Sequence, residues 1–360
     1  MEHLHSLNST IVRTEMDSDA EAIAPLPDGR LHPHGDPIEP PPAEASWLVR
    51  DWRYAILRAG MATLSRLAPA RAADLFDRIW FTPPRTRPGT DAARWLARGE
   101  PIEILVHARP VRAWSWGEGP AVLLVHGWGG NAGQMRAIAG ALLERGLRVV
   151  AFDAPAHGAS GPSRMGGGRV SMIEIADALR VVAASAGPLA GLVAHSGGCT
   201  ATALALREGW TGPDRIAFIA PFSLPSQAIV PFGRAIGASA SVTSMFGARV
   251  ERRFSRPWTD FDIPPLPRLR ALPPLLVVHD ERDREVPLFH GQAVAHAWPD
   301  AHMVRTRGLG HRRILRDEAV LSDVAGFIAR SQAPVRGVPA RSRAELDQAY
   351  AASGLVRNLR

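Results

Sequence analysis

The apolar run Leu189-Ala190-Gly191-Leu192-Val193 leads straight into Ala194-His195-Ser196-Gly197-Gly198, and this junction constrains the fold more than any other stretch of the chain. A short apolar run bounded by turn residues reads as a buried strand. Small residues around the serine let the backbone reverse sharply from strand into helix. The favoured pattern for such a turn is Gly-x-Ser-x-Gly, and here the first position is Ala194, the next smallest residue. The turn holds the serine hydroxyl clear of the sheet, which makes Ser196 a candidate nucleophile.

Further blocks follow the same logic. Ala121–Val125 reads as a buried strand running into His126-Gly127-Trp128-Gly129-Gly130, a glycine-rich turn whose amides can point into a site. Arg148–Phe152 is a strand ending in Asp153-Ala154-Pro155-Ala156-His157-Gly158, where Asp153 and His157 are expected to be structural. Residues 215–220 form a strand ending at Pro221-Phe222, with no carboxylate there. Leu275–His279 is a strand followed by Asp280-Glu281-Arg282-Asp283 and then Val286-Pro287, which offers a carboxylate at a strand's C-terminal end. A last strand, His302–Thr306, precedes Gly308-Leu309-Gly310-His311, an imidazole on a loop.

Serine, then acid, then histidine is the chain order of one particular hydrolytic fold. With its HGWGG, FDAPAHG, HSGG, HDERDREVP and GLGHRRIL blocks, the chain resembles the α/β-hydrolase superfamily, in particular bacterial serine hydrolases, over residues 102–330. The resemblance implies an α/β fold with a mostly parallel central sheet flanked by helices and a helical cap insertion. It implies Ser196 as nucleophile, His311 as base and Asp283 as the acid, an oxyanion hole from the amides of Trp128 and Gly197, and no metal or cofactor. His126, Gly127 and His195 are expected to support these loops. Asp280 is the rival acid, and His290, His296 and His302 are the rival bases. Serine at the turn argues against the dehalogenases and epoxide hydrolases of the superfamily, which use aspartate there.

The expected substrate is a small, mainly apolar carboxylic ester, and acyltransferase, thioesterase and lactonase activities are alternatives on the same triad. The rival from another class is a catalytically silent protein that binds a ligand or a partner.

Composition fits a single sizeable α/β core, with 46% hydrophobic residues in 360. The formal charge is +7, but every one of the 42 basic residues counted as Lys or Arg is arginine, and they are dispersed. No basic stripe with interleaved aromatics marks a nucleic-acid surface, so no nucleic-acid partner is expected. The single cysteine, Cys199, excludes an intrachain disulfide. No signal-peptide pattern opens the sequence, so a cytoplasmic location is the expectation. Gly166-Gly167-Gly168 is not a phosphate cradle, because no Lys-Ser/Thr pair follows it.

Residues 1–44 read as a disordered tail rich in proline, acidic residues and histidine. Residues 45–100 read as a helical extension. Apolar positions at helical spacing over 46–79 predict one long helix or two short ones. This Arg- and Trp-bearing segment can lie on a membrane surface or pack on the protein, and packing is the expectation, because an unpacked apolar face would leave a large exposed patch. Two short strands, Ile102–His107 and Val111–Trp116, are expected on either side of Arg109-Pro110. The hydrolase domain spans 101–332, and residues 223–272 read as a cap whose Phe232, Phe246, Phe254, Trp258 and Phe261 suggest an apolar pocket or simply anchor the cap. Residues 333–360 form a tail with a helix over Arg341–Ala352.

Overall fold

The five apolar runs named above become the interior strands of one eight-stranded sheet, because a strand covered on both faces has no polar side to show. In the computed structural model, which describes residues 52–330, these are β3 (Ala121–Val125), β4 (Arg148–Phe152), β5 (Leu189–His195), β6 (Ile216–Ile219) and β7 (Leu275–Asp280). The flanks are β1 (Glu100–Val106), β2 (Arg109–Trp116) and β8 (Ala301–Thr306). The spatial order is β1-β2-β4-β3-β5-β6-β7-β8. β1 and β2 pair antiparallel, β2 pairs antiparallel with β4, and every other pairing is parallel. The expected tails, including the helix over Arg341–Ala352, and the first residues of the expected N-terminal helix lie outside the described residues.

Alternation along the strands divides the core in two. Leu123, Val150, Leu192, Phe218 and Val277 face one layer, and Leu124, Ala151, Val193, Ala217 and Val278 face the other. On the first side lie α5 (Met172–Ala186) and α6 (Gly197–Arg207); on the second lie α4 (Arg136–Leu143) and α11 (Glu318–Ala329). The start of α5 is fixed by a capping box, in which Ser171 Oγ accepts from Glu174 N and the Glu174 carboxylate accepts from Ser171 N, each at 3.2 Å.

The first hairpin departs from expectation. The chain reverses at His107-Ala108, both at left-handed φ (50° and 59°), which suits a two-residue hairpin turn. Arg109-Pro110 belongs to β2, with Pro110 opposite Leu105. Proline is tolerated there because β2 pairs with β4 only over Ala113–Trp116, so the missing N–H breaks no bond on that side.

The N-terminal segment forms two helices, α1 (Trp52–Leu67) and α2 (Pro69–Phe81), parted at Pro69, which suits a first helical turn. A third, α3 (Thr90–Leu96), follows a link over residues 82–89. The insertion between β6 and β7 folds as α7 (Pro225–Ile236), α8 (Ala240–Phe254) and short 3-10 turns. Extension and insertion pack on one another. Phe76 of α2 stacks on Phe246 of α8 at 4.2 Å and 8°, and Trp80 meets Phe232 edge-on at 4.9 Å and Trp258 at 5.6 Å. Buried Asp77 bridges Arg253 of α8 at 2.7 Å and Arg169 of the loop before α5 at 3.2 Å. Phe232, Phe246, Trp258 and Phe261 are all buried, so these rings anchor the insertion. Among the described residues, no helix is long and apolar enough to cross a membrane.

The remaining helices are α9 (Leu288–Ala297) between β7 and β8, and α10 (Gly310–Arg313) after β8. The loops after β3, β4, β5, β6, β7 and β8 all leave at one edge of the sheet, where open α/β sheets place their ligands.

Candidate active site

Ser196 sits between β5 and α6 at φ 53° and ψ −121°, a conformation an ordinary residue avoids. The surroundings hold it there. Its N–H donates to Ile219 O at 3.0 Å, and its carbonyl accepts from Cys199 N at 3.0 Å and Phe222 N at 3.3 Å. Gly198 is required two residues on: a Cβ there would lie 2.6 Å from His126 O and 2.7 Å from Val125 O. The turn forms with Ala194 in its first position, pairing with Val125 of β3 and Phe218 of β6.

The two aspartates after β7 face different partners. Asp283 Oδ1 accepts from Glu285 N at 2.8 Å and Val286 N at 2.9 Å, leaving Oδ2 to accept from His311 Nδ1 at 2.7 Å. Burial pushes the Asp283 carboxyl up, but the neighbouring His311 and the hydrogen bonds outweigh it and hold it below the usual carboxylate range. Asp280 turns to the next loop: it accepts from Arg282 N (3.0 Å), Thr306 Oγ1 (2.8 Å), Gly308 N (3.2 Å) and Leu309 N (2.9 Å). Its carboxylate therefore ties down the turn that presents His311. Of the rival bases, His302 lies in β8 and His296 and His290 lie in α9. His290 is buried, and its Nδ1 accepts from Ser223 N at 3.1 Å.

His311 lies beside the serine turn. Its ring centroid is 4.6 Å from that of His195, the residue before Ser196. With Nδ1 on Asp283, its Nε2 is the nitrogen left to face a reacting group. No hydrogen bond joins Ser196 Oγ to His311 among the described residues, and such contacts commonly tighten only once a substrate is seated.

The loop after β3 reaches the same place. Gly127 lies so near the serine that a Cβ on it would be 2.9 Å from Ser196 Cβ. A Cβ on Gly197 would be 3.5 Å from Trp128 N, so the Trp128 and Gly197 amides share one small space. Neither amide donates to a backbone acceptor among the described residues. Trp128 stands edge-on to His157 at 5.6 Å.

Four buried imidazoles support the arrangement, each kept neutral. A neutral imidazole offers one donor and one acceptor; His126 and His157 use both, while His195 and His279 use the donor alone. His126 donates from Nδ1 to Gly127 O at 2.7 Å and accepts from Ala154 N at Nε2 at 3.0 Å. His157 donates from Nδ1 to Pro155 O at 2.9 Å and accepts from Gly129 N at 3.0 Å. His195 donates from Nε2 to His311 O at 2.9 Å, tying the serine turn to the histidine turn. His279 donates to Val286 O at 2.9 Å beneath Asp283. Burial lowers all four; it is joined by the neighbouring His126 in bringing His157 to about 3, and by the neighbouring His311 in bringing His195 to about 3. Asp153 is structural, as expected: it accepts from Ala132 N and Ala159 N, each at 2.7 Å.

The expected residues Ser196, Gly197, His195, His126, Gly127, Trp128, Asp283 and His311 thus converge on one edge of the sheet. The sequence reading missed Thr86, whose hydroxyl donates to Gly129 O at 2.6 Å from the link after α2, and the tethering role of Asp280. Neither carries a local signal. Thr86 lies in an irregular Pro- and Arg-rich stretch, and the partners of Asp280 lie 26 to 29 residues further on, apart from Arg282.

Among the described residues, no group of three or more His, Cys, Asp or Glu side chains is placed to hold a metal ion.

Comparison with known proteins agrees with this fold. A family described as the alpha/beta hydrolase fold matches residues 120–229, and one described as TAP-like protein matches 255–340. A curated protein named “Putative carbamate hydrolase RutD”, from Variovorax paradoxus, is 39% identical over 101 residues, 28% of this chain and 36% of its own length. The matched segment therefore spans about a third of that relative. An esterase structure from Pyrococcus furiosus superposes with a TM-score of 0.52 at 19% identity, covering 69% of this chain and 97% of the other. A structure titled “putative lipase (lip1)”, from Acinetobacter baumannii, gives 0.53 at 14% identity, covering 67% and 94%. At these identities the structures establish the fold. The chain has the alpha/beta hydrolase fold, with a mostly parallel eight-stranded sheet whose loops gather at one edge.

Proposed function

We propose that this chain is a serine hydrolase that cleaves a carboxylic ester through Ser196, His311 and Asp283. The reading is carried by one observation: the 2.7 Å bond from His311 Nδ1 to Asp283, next to a serine held in a strained strand-to-helix turn. A serine hydroxyl is a poor nucleophile at neutral pH and needs an adjacent base. With Nδ1 tied to Asp283, His311 takes the Ser196 proton at Nε2 as Oγ bonds to the substrate carbonyl carbon. The oxyanion is held by the amides of Trp128 and Gly197. Its collapse breaks the ester C–O bond, and the leaving alkoxide takes the proton from His311. Water then attacks the acyl-enzyme with His311 again as base, releasing the acid and restoring Ser196.

The same steps serve thioesters and lactones. The match to a relative named for carbamate hydrolysis adds carbamates to the classes worth assaying. The test is turnover of a panel of p-nitrophenyl esters, thioesters, lactones and carbamates by the full chain and by Ser196→Ala and His311→Ala. Ester turnover that both substitutions abolish is the expected result. Turnover that survives Ser196→Ala in a folded variant contradicts the reading.

A further inference from the structure

The N-terminal extension reaches the candidate oxyanion loop, and it does so through hydrogen bonds as well as packing. The link after α2 passes directly over Gly129. A Cβ on Gly129, whose φ is +69°, would lie 2.5 Å from Pro84 Cγ and 3.1 Å from Pro84 O. Two residues on, Thr86 Oγ1 donates to Gly129 O at 2.6 Å and accepts from Asn131 Nδ2 at 3.3 Å. Arg85 between them donates to Ala156 O at 3.4 Å.

We propose that Pro84–Thr86 braces the oxyanion loop and that Thr86 is a positioning residue for the Trp128 amide. The inference rests on the serine hydrolase reading above. A trans peptide is planar and points its C=O and N–H in opposite directions, so orientation passes from one peptide to the next. Thr86 holds the carbonyl of the Gly129–Gly130 peptide. The N–H of that same peptide donates to Gly127 O at 3.0 Å. Gly127 O, which also accepts from His126 Nδ1 at 2.7 Å, belongs to the Gly127–Trp128 peptide, whose N–H is the proposed oxyanion donor. Between the two, the N–H of the Trp128–Gly129 peptide is held by His157 Nε2.

Each of the three peptides is thus held by a hydrogen bond. The need is local: Gly127, Gly129 and Gly130 give this turn more backbone freedom than side-chain-bearing residues would. Without the Thr86 hydroxyl, the Gly129–Gly130 peptide can rotate, Gly130 N leaves Gly127 O, and the Trp128 amide loses one of its two anchors. The brace lies before residue 120, outside the segments that the two families match.

The experiment compares full-length wild type with Thr86→Val, which keeps shape and removes the hydroxyl, and with Thr86→Ser, which restores it. The readouts are the second-order rate of fluorophosphonate labelling and kcat and KM on p-nitrophenyl butyrate, with melting temperature as the folding control. Partial loss of one oxyanion donor predicts that Thr86→Val lowers labelling and kcat about tenfold, leaves KM within about twofold, and is rescued by serine. If Thr86→Val does not fold, Thr86→Ala takes its place. A folded variant that labels and turns over like an active wild type overturns the brace alone. A folded wild type that neither labels nor turns over ester overturns both the hydrolase reading and the brace.

Discussion

Asp280 and Asp283 show how two like residues, three apart, take different parts through the groups they face. Asp283 has one oxygen on backbone amides and the other on an imidazole, the arrangement that orients a general base. Asp280 has both oxygens on the turn ahead of His311, so it acts through the backbone. The two substitutions separate these parts. Asp283→Asn is expected to lower kcat by about 10³–10⁴ through loss of the correct imidazole tautomer, with little change in KM. Asp280→Asn places an amide NH₂ among N–H donors and is expected to cost about 1–3 kcal/mol of stability with a smaller fall in kcat. Steady-state kinetics and urea unfolding of both variants check this, and equal kcat losses contradict the division.

At the scale of elements, the apolar strands were legible in the sequence because burial on both faces leaves an unbroken hydrophobic run. The Ser196 and Asp283 positions were legible because each follows such a run, and His311 because it stands in a glycine-bearing turn after β8, a strand that is only partly buried. The hairpin turn was not: Arg109-Pro110 carries the composition of a turn, yet the reversal falls at His107-Ala108, where two side-chain-bearing residues adopt left-handed φ. The partnership of extension and insertion was also hidden, since nothing local in α2 says that Phe76 meets Phe246, 170 positions on. Phe76 is fully buried between α2 and the insertion. Phe76→Ala is therefore expected to destabilise the chain by about 3–5 kcal/mol, read from the denaturant midpoint. A change below about 1 kcal/mol contradicts the view that extension and insertion share one core.

For the whole molecule, the buried neutral histidines set the acid limit of stability. His157, His195 and His290 are pushed down to about 3, in each case by burial first. In the unfolded chain an imidazole titrates near 6.5. Between these values the unfolded state holds more protons than the folded one, so acid favours unfolding. Stability is expected to be flat above about pH 6.5 with respect to these groups, and to fall as pH drops toward 3, with a slope of up to about 1.4 kcal/mol per pH unit for each histidine. Melting temperature followed from pH 8 to pH 4 checks the sign; a protein equally stable at pH 4.5 and pH 7 contradicts it.

The central claim is an activated serine at the edge of the sheet, and covalent trapping tests it most directly. The folded full chain is treated with a fluorophosphonate probe and the adduct located by peptide mass mapping, alongside His311→Ala. The account predicts one adduct, on Ser196, that is lost in the His311 variant. No adduct on an accessible wild type, or an adduct that forms equally well without His311, would contradict it.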